Sequence, residues 1–244
     1  MRLLNQKAYG SIPHVYGHSS HVGPLDKTIS EGQTRIALRM PRDEHDKIIV
    51  QEKLDGSCVA VAKIDGALHC LTRKGNQCVH SPYEMHHLFV NWVFERYEKF
   101  NSLLREGERL VGEWLAQAHS TVYVPFPKWE PFVAFDLMTG VIRTPFNEFV
   151  DRLERRFHIP PLISEGPACS LTRAQLLTHG GQSQYSSEAS GTEAEGFIWR
   201  VERKGVVEFL CKWVRPDHVP GKLLPGLRES EVTEPVWNWR PDHE

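Results

Sequence analysis

Lys53 is the first residue of this 244-residue chain whose setting suggests chemistry, in the stretch Gln51-Glu52-Lys53-Leu54-Asp55-Gly56-Ser57. Apolar runs flank it, Ile48-Ile49-Val50 before and Cys58-Val59-Ala60-Val61-Ala62 after, so two strands meet there at a glycine-containing turn. A lysine ending a buried strand is costly as a cation, because desolvation favours the neutral amine, and the neutral amine is a nucleophile. A free lysine titrates near ~10.4, so half-neutralising it at pH 7 takes roughly three units, about 4 to 5 kcal/mol. Burial, a neighbouring cation or a bound metal ion can supply that depression, and Asp55 and the open backbone at Gly56 would orient the amine. Taken alone, the stretch is an ordinary Asp-Gly turn beside an edge lysine.

Other polar groups sit at the ends of apolar runs in the same way. Arg73-Lys74-Gly75 follows an apolar run over 67–72 and suits a phosphate or sugar, since glycine admits a close backbone and arginine donates as a fork. Glu113 lies within the run 109–115, where a carboxylate needs a partner such as a ribose hydroxyl or a metal. Phe135 beside Asp136 offers a stacking face next to a carboxylate. Glu195 precedes the run 196–200, and Lys212 lies near the end of 206–214. Cations, acids and an aromatic face at converging strand ends suit a nucleoside triphosphate with magnesium.

The elements that must hold these groups follow from pattern. Asp65-Gly66 and Lys204-Gly205 are hairpin turns. Ser81-Pro82-Tyr83-Glu84 predicts a helix start with a serine cap, continued by Leu88, Phe89, Trp92, Val93, Tyr97, Phe100 and Leu104. Thr144-Pro145 opens a second helix bearing Phe146, Phe149, Val150, Leu153 and Phe157. Residues up to about Met40 are predicted irregular, and 180–194 a mobile loop. His14, His18 and His21 lack a cysteine or carboxylate at matching spacing and are read as loop residues. His69, Cys70, Cys78 and His80 make no zinc set, because alternation sends His69 and Cys70 to opposite faces.

Composition sets the frame. With 40% hydrophobic residues the chain can bury one large core. No run approaches the ~18 apolar residues of a membrane span, and the N-terminus lacks a signal-peptide core. Five cysteines at irregular spacing predict reduced thiols and a cytoplasmic setting. A net charge of -2 leaves any nucleic-acid surface to a local patch.

In order, Lys53-Leu54-Asp55-Gly56 with Glu52 before it, Arg73 with Gly75, Gly112-Glu113-Trp114, Phe135-Asp136, Glu195-Gly196-Phe197-Ile198-Trp199-Arg200 and Lys212 resemble the motifs of the covalent nucleotidyltransferase superfamily. Within it the chain is most similar to the ATP-dependent RNA ligase branch, over residues 47–214. The resemblance implies an α+β fold, an ATP-grasp-like ligase adenylation domain of mostly antiparallel sheets flanked by helices, without an OB-fold. Residues 1–46 would be an irregular segment packed on that domain and 215–244 a proline-rich tail. It also implies that Lys53 attacks ATP to form lysyl-AMP and that Asp55 and Lys212 join it in catalysis. Glu52, Arg73, Glu113 and Phe135 would bind the nucleotide, and Glu195 and Asp136 would bind Mg2+ or Mn2+. The AMP would pass to an RNA 5′-phosphate, which a 3′-hydroxyl then seals. The last motif departs from the pattern: where two lysines are usual, Lys212 stands with Leu210 and Val214, so the second cation is missing or replaced by Arg215. Missing an OB-fold favours RNA repair over DNA sealing or capping. The alternatives are an adenylyltransferase subunit that needs a protein partner and a non-catalytic nucleotide-binding domain.

Overall fold

The computed structural model describes residues 3–18, 22–23, 26–123, 129–178, 180–185 and 193–241. Its strands are β1 (Asp46–Lys53), β2 (Ser57–Ile64), β3 (Ala67–Thr72), β4 (Glu108–Trp114), β5 (Phe132–Thr139), β6 (Ile142–Arg143), β7 (Leu162–Gly166), β8 (Gly196–Arg203) and β9 (Val206–Val214). Its helices are α1 (Glu31–Leu38), α2 (Glu84–Glu95), α3 (Tyr97–Asn101), α4 (Phe146–Leu153) and α5 (Leu171–Leu177). The fold is α+β, with two antiparallel sheets in the orders β7-β1-β8-β9 and β3-β2-β4-β5-β6.

Strand alternation explains why β1 is an unbroken apolar run. Ile48 and Val50 enter a core with Phe197, Trp199 and Ala37, whereas Ile49 enters the larger core with Trp92, Trp114 and Phe132. The next strand in sequence, β2, belongs to the other sheet, so Leu54-Asp55-Gly56 carries the chain from one sheet to the other. Gly56 is required by close approach: a Cβ there would lie 2.7 Å from the Trp114 carbonyl oxygen. Both expected hairpins form, with Asp65, Gly66, Lys204 and Gly205 all at positive φ as tight two-residue turns need.

Three sequence expectations are corrected. The segment before Met40 is not wholly irregular: α1 starts at Ser30, whose hydroxyl accepts from the Gln33 amide while the Gln33 side chain accepts from Ser30 N, a capping box legible as Ser-x-x-Gln. Ser81 does not cap α2, because its hydroxyl bonds the His86 ring and accepts from Tyr83 N; the helix starts at Glu84 after Tyr83. The helical pattern is also broken at Arg96, whose guanidinium folds back over the Trp92 ring and donates to the Trp92 carbonyl. Leu103 and Leu104 are nonetheless buried in the larger core, beyond α3. That core is aromatic, with Phe89, Trp92, Phe100, Trp114, Phe132 and Phe157 in mutual ring contact; it fixes α2 against the second sheet.

Described segments near both ends of the chain pack on the sheets. Tyr9 and Ala8 share a core with Val111 and Leu71, and His14 bridges to Lys212. In the tail, the Asn238 side chain donates to the Leu115 carbonyl and accepts from Tyr123 N, and Trp239 meets Trp114 edge-on. Among the described residues no helix is long and apolar enough to cross a membrane. His21, Pro125, Pro127 and residues 186–192 of the expected mobile loop lie outside the described residues.

Candidate active site

A cavity of about 840 Å³ opens where β1 crosses to β2. Glu52, Lys53, Arg73, Glu113, Phe135, Asp136 and Lys212 all line it, from four strands and the turn after β3. Glu195, just before β8, lies against Lys53 with Oε2 2.5 Å from Nζ. This arrangement follows from pairing: Lys53 is opposite Gly196, Ile198 is opposite Lys212, and Cys58 is opposite Glu113. Gly196 makes the close approach possible, since a Cβ there would lie 1.9 Å from the Trp213 carbonyl oxygen.

Charge at the site differs from the expectation for a buried nucleophile. Burial is the largest influence on Lys53 and pulls its pKa down, but Glu195, Glu113 and Asp55 outweigh it and the pKa is raised. The free protein therefore holds Lys53 as an ammonium ion. Burial pushes the Glu195 carboxyl up to about 7 against the pull of Lys53, and Glu113 up to about 8. Burial also raises Glu52 to about 7; it accepts from Ser183 Oγ at 2.5 Å and Gln184 N at 3.0 Å. Part of the stretch predicted mobile is thus built into the site. Lys212 is lowered by burial and by repulsion from Lys53 and Arg73.

Other side chains act through the frame. Asp55 Oδ2 accepts from Ser120 N (2.7 Å) and Thr121 N (2.9 Å), and its own amide donates to the Tyr123 hydroxyl. It fixes the loop after β4 and reaches Lys53 through its charge. The Phe135 ring meets Tyr9 edge-on at 5.1 Å. Arg73 donates to Ser11 Oγ at 2.5 Å and stays exposed.

Metal ligation divides the two acids expected to provide it. Both Asp136 oxygens are engaged: Arg200 bonds Oδ1, while Tyr9 Oη (2.6 Å) and Arg143 Nε (3.2 Å) bond Oδ2. In the structure Asp136 thus has protein partners on both carboxylate oxygens. Glu195 keeps a different company, since ligand atoms of Asp55, Glu195 and His218 all lie within 4.8 Å of one another. With Glu113 nearby, these acids outnumber the lysine cation among them, and a divalent cation fits that surplus. His218 comes from the tail, with Nε2 3.8 Å from Glu195 Oε1, and no sequence motif pointed to it. Arg215, the proposed replacement for a second lysine, instead pairs with Glu193 and Asp217 outside the cavity.

The fold is similar to that of solved RNA ligases. An archaeal ATP-dependent RNA ligase matches with TM-score 0.50 at 16% identity, over 84% of this chain and 48% of that one. A variant of the Naegleria gruberi RNA ligase with ATP and Mn matches with TM-score 0.51 at 16% identity, over 86% of this chain and 61% of that one. Another variant of that enzyme, with AMP and Mn, gives 0.50, 16%, 86% and 60%. The chain thus spans 48 to 61% of the length of these structures, and at such identity the likeness is one of fold. No curated protein matches the chain. The RNA ligase family model matches residues 46–214, most of the chain, and the protein belongs to the RNA ligase family.

Proposed function

We propose that the chain is an ATP-dependent RNA ligase that works through lysyl-AMP on Lys53. The observation that carries this reading is the Lys53 amine in one cavity with Arg73, Glu113, Phe135 and Lys212, 2.5 Å from Glu195, inside the family-matched stretch. Lys53 Nζ, having lost its proton, attacks the α-phosphorus of ATP; the new N–P bond forms as the bond to pyrophosphate breaks. Lys212 and Arg73 neutralise phosphate oxygens, Phe135 stacks on adenine, and Glu113 accepts from a ribose hydroxyl. Glu195, with Asp55 and His218 beside it, would hold Mg2+ or Mn2+, which when bound supplies positive charge to the phosphates. The AMP then moves from Lys53 to an oxygen of an RNA 5′-phosphate. A 3′-hydroxyl attacks that phosphorus, the phosphodiester forms and AMP leaves. All five cysteines are free, which supports a cytoplasmic setting.

The test is incubation with α-labelled ATP and a divalent cation, followed by denaturing electrophoresis. The unmodified chain is expected to keep the label and Lys53→Ala to lose it completely, whereas equal labelling of both would remove Lys53 as the nucleophile. A net charge of -2 favours one second reading, an adenylyltransferase that needs a protein partner to hold RNA. In that case RNA binding by the chain alone is weak and rises sharply with the partner.

A further inference from the structure

The cavity around Lys53 is also lined by a group of side chains without formal charge, Ser57, Ser81, Tyr83, His86 and His119, hereafter the uncharged wall. His86, in the first turn of α2, engages both ring nitrogens with hydroxyls: Nε2 lies 3.1 Å from Ser57 Oγ and Nδ1 2.6 Å from Ser81 Oγ. Burial pushes its pKa down to about 4, so the ring is neutral, with one nitrogen donating and the other accepting. Ser57 opens β2 directly after Gly56, which ties this chain of hydrogen bonds to the turn that carries Lys53. His119 is also kept neutral, chiefly by burial, and its buried Nε2 has no hydrogen-bond partner. His119 feels the charges of Asp55 and Lys53 and itself acts on His86, which couples this group of side chains to the nucleophile. Tyr83 is 60% exposed, its ring edge-on to His86 at 5.9 Å.

An exposed ring, paired hydroxyls and an unsatisfied imidazole nitrogen match a base and a sugar better than a phosphate. A 5′-phosphate would instead be drawn to Arg73, Lys74 and Lys212, which line the same cavity. We propose that the uncharged wall seats the 3′-hydroxyl end of the acceptor RNA strand, with its last base stacked on Tyr83 and its ribose hydroxyls facing His119 and the Ser57–His86–Ser81 chain. This rests on the RNA ligase reading and assigns the strand that reading leaves unplaced.

The experiment is the sealing of a 5′-adenylylated RNA donor to a 3′-hydroxyl RNA acceptor, varying each strand in turn, for the unmodified chain, Tyr83→Ala and Tyr83→Trp. Because base stacking on an aromatic ring is lost, Tyr83→Ala is expected to raise the acceptor KM about tenfold more than the donor KM, and Tyr83→Trp to restore it. Equal rises for both strands, a rise confined to the donor, or no change would overturn the assignment. Lysyl-AMP formation by the unmodified chain is measured alongside. An unmodified chain that neither labels nor seals would overturn the ligase reading and this inference with it, whereas a labelling, sealing chain indifferent to Tyr83 would overturn this inference alone.

Discussion

At Lys53 the desolvation that would free the amine is outweighed by Glu195, Glu113 and Asp55, so the nucleophilic role proposed for it requires those charges to be cancelled. A divalent cation held by Glu195, Asp55 and His218 would supply that positive charge and leave burial to act on the lysine. The acids must first ionise. Their pKa values are raised, to about 7 for Glu195 and about 8 for Glu113, so protons are still bound at pH 6 and leave as pH climbs through 7 to 8. The initial rate of Lys53 labelling at saturating ATP and magnesium is therefore expected to climb about tenfold or more from pH 6 to pH 8.5, one decade per unit while a single proton limits. A rate that is flat or falls over this range would contradict the role given to the two acids.

Among the elements, the β8–β9 pair places Glu195 beside Lys53 because nothing stands between Gly196 and the Trp213 carbonyl. Adding a methyl group there forces the strands apart. Gly196→Ala is expected to cost about 2 to 3 kcal/mol, the usual range for overpacking a tight site, read as a lower urea midpoint. It should also impair labelling in the fraction that stays folded, since the displaced strand begins one residue after Glu195. Unchanged stability and labelling would show that the sheet accommodates a Cβ at this position.

Across the whole molecule, the two sheets are joined by a buried charge network. Arg200 of β8 reaches Asp136 and the Phe135 carbonyl of β5, and Arg143 and Tyr9 complete the shell around Asp136. Removing the principal cation leaves a buried carboxylate undercompensated. Arg200→Met is expected to destabilise by about 3 kcal/mol, and Arg200→Met with Asp136→Leu to recover much of that, as replacing a whole buried pair by apolar groups often does. Urea unfolding of the two single variants and the double variant measures this coupling, and additive losses would refute it.

The sequence alone determined the seven longer strands and the order of their polar ends, but not the short β6 and β7. Alternation and continuous apolar runs encode burial locally, and Asp-Gly and Lys-Gly encode hairpins through positive φ. It also held the Ser30–Gln33 capping box that places α1, a signal set within a segment otherwise rich in glycine and histidine. Tertiary structure decided what each polar end touches. It sent β1 and β2 to different sheets, so that the Lys53 turn became the crossing between them. Asp136, alike in sequence to Glu195 as an acid in an apolar setting, was taken by Arg200 and Arg143, while Glu195 was left beside Lys53 and His218. The reason is physical: a carboxylate's partners and pKa depend on charges delivered from distant segments, and those separations exist only once the sheets have packed.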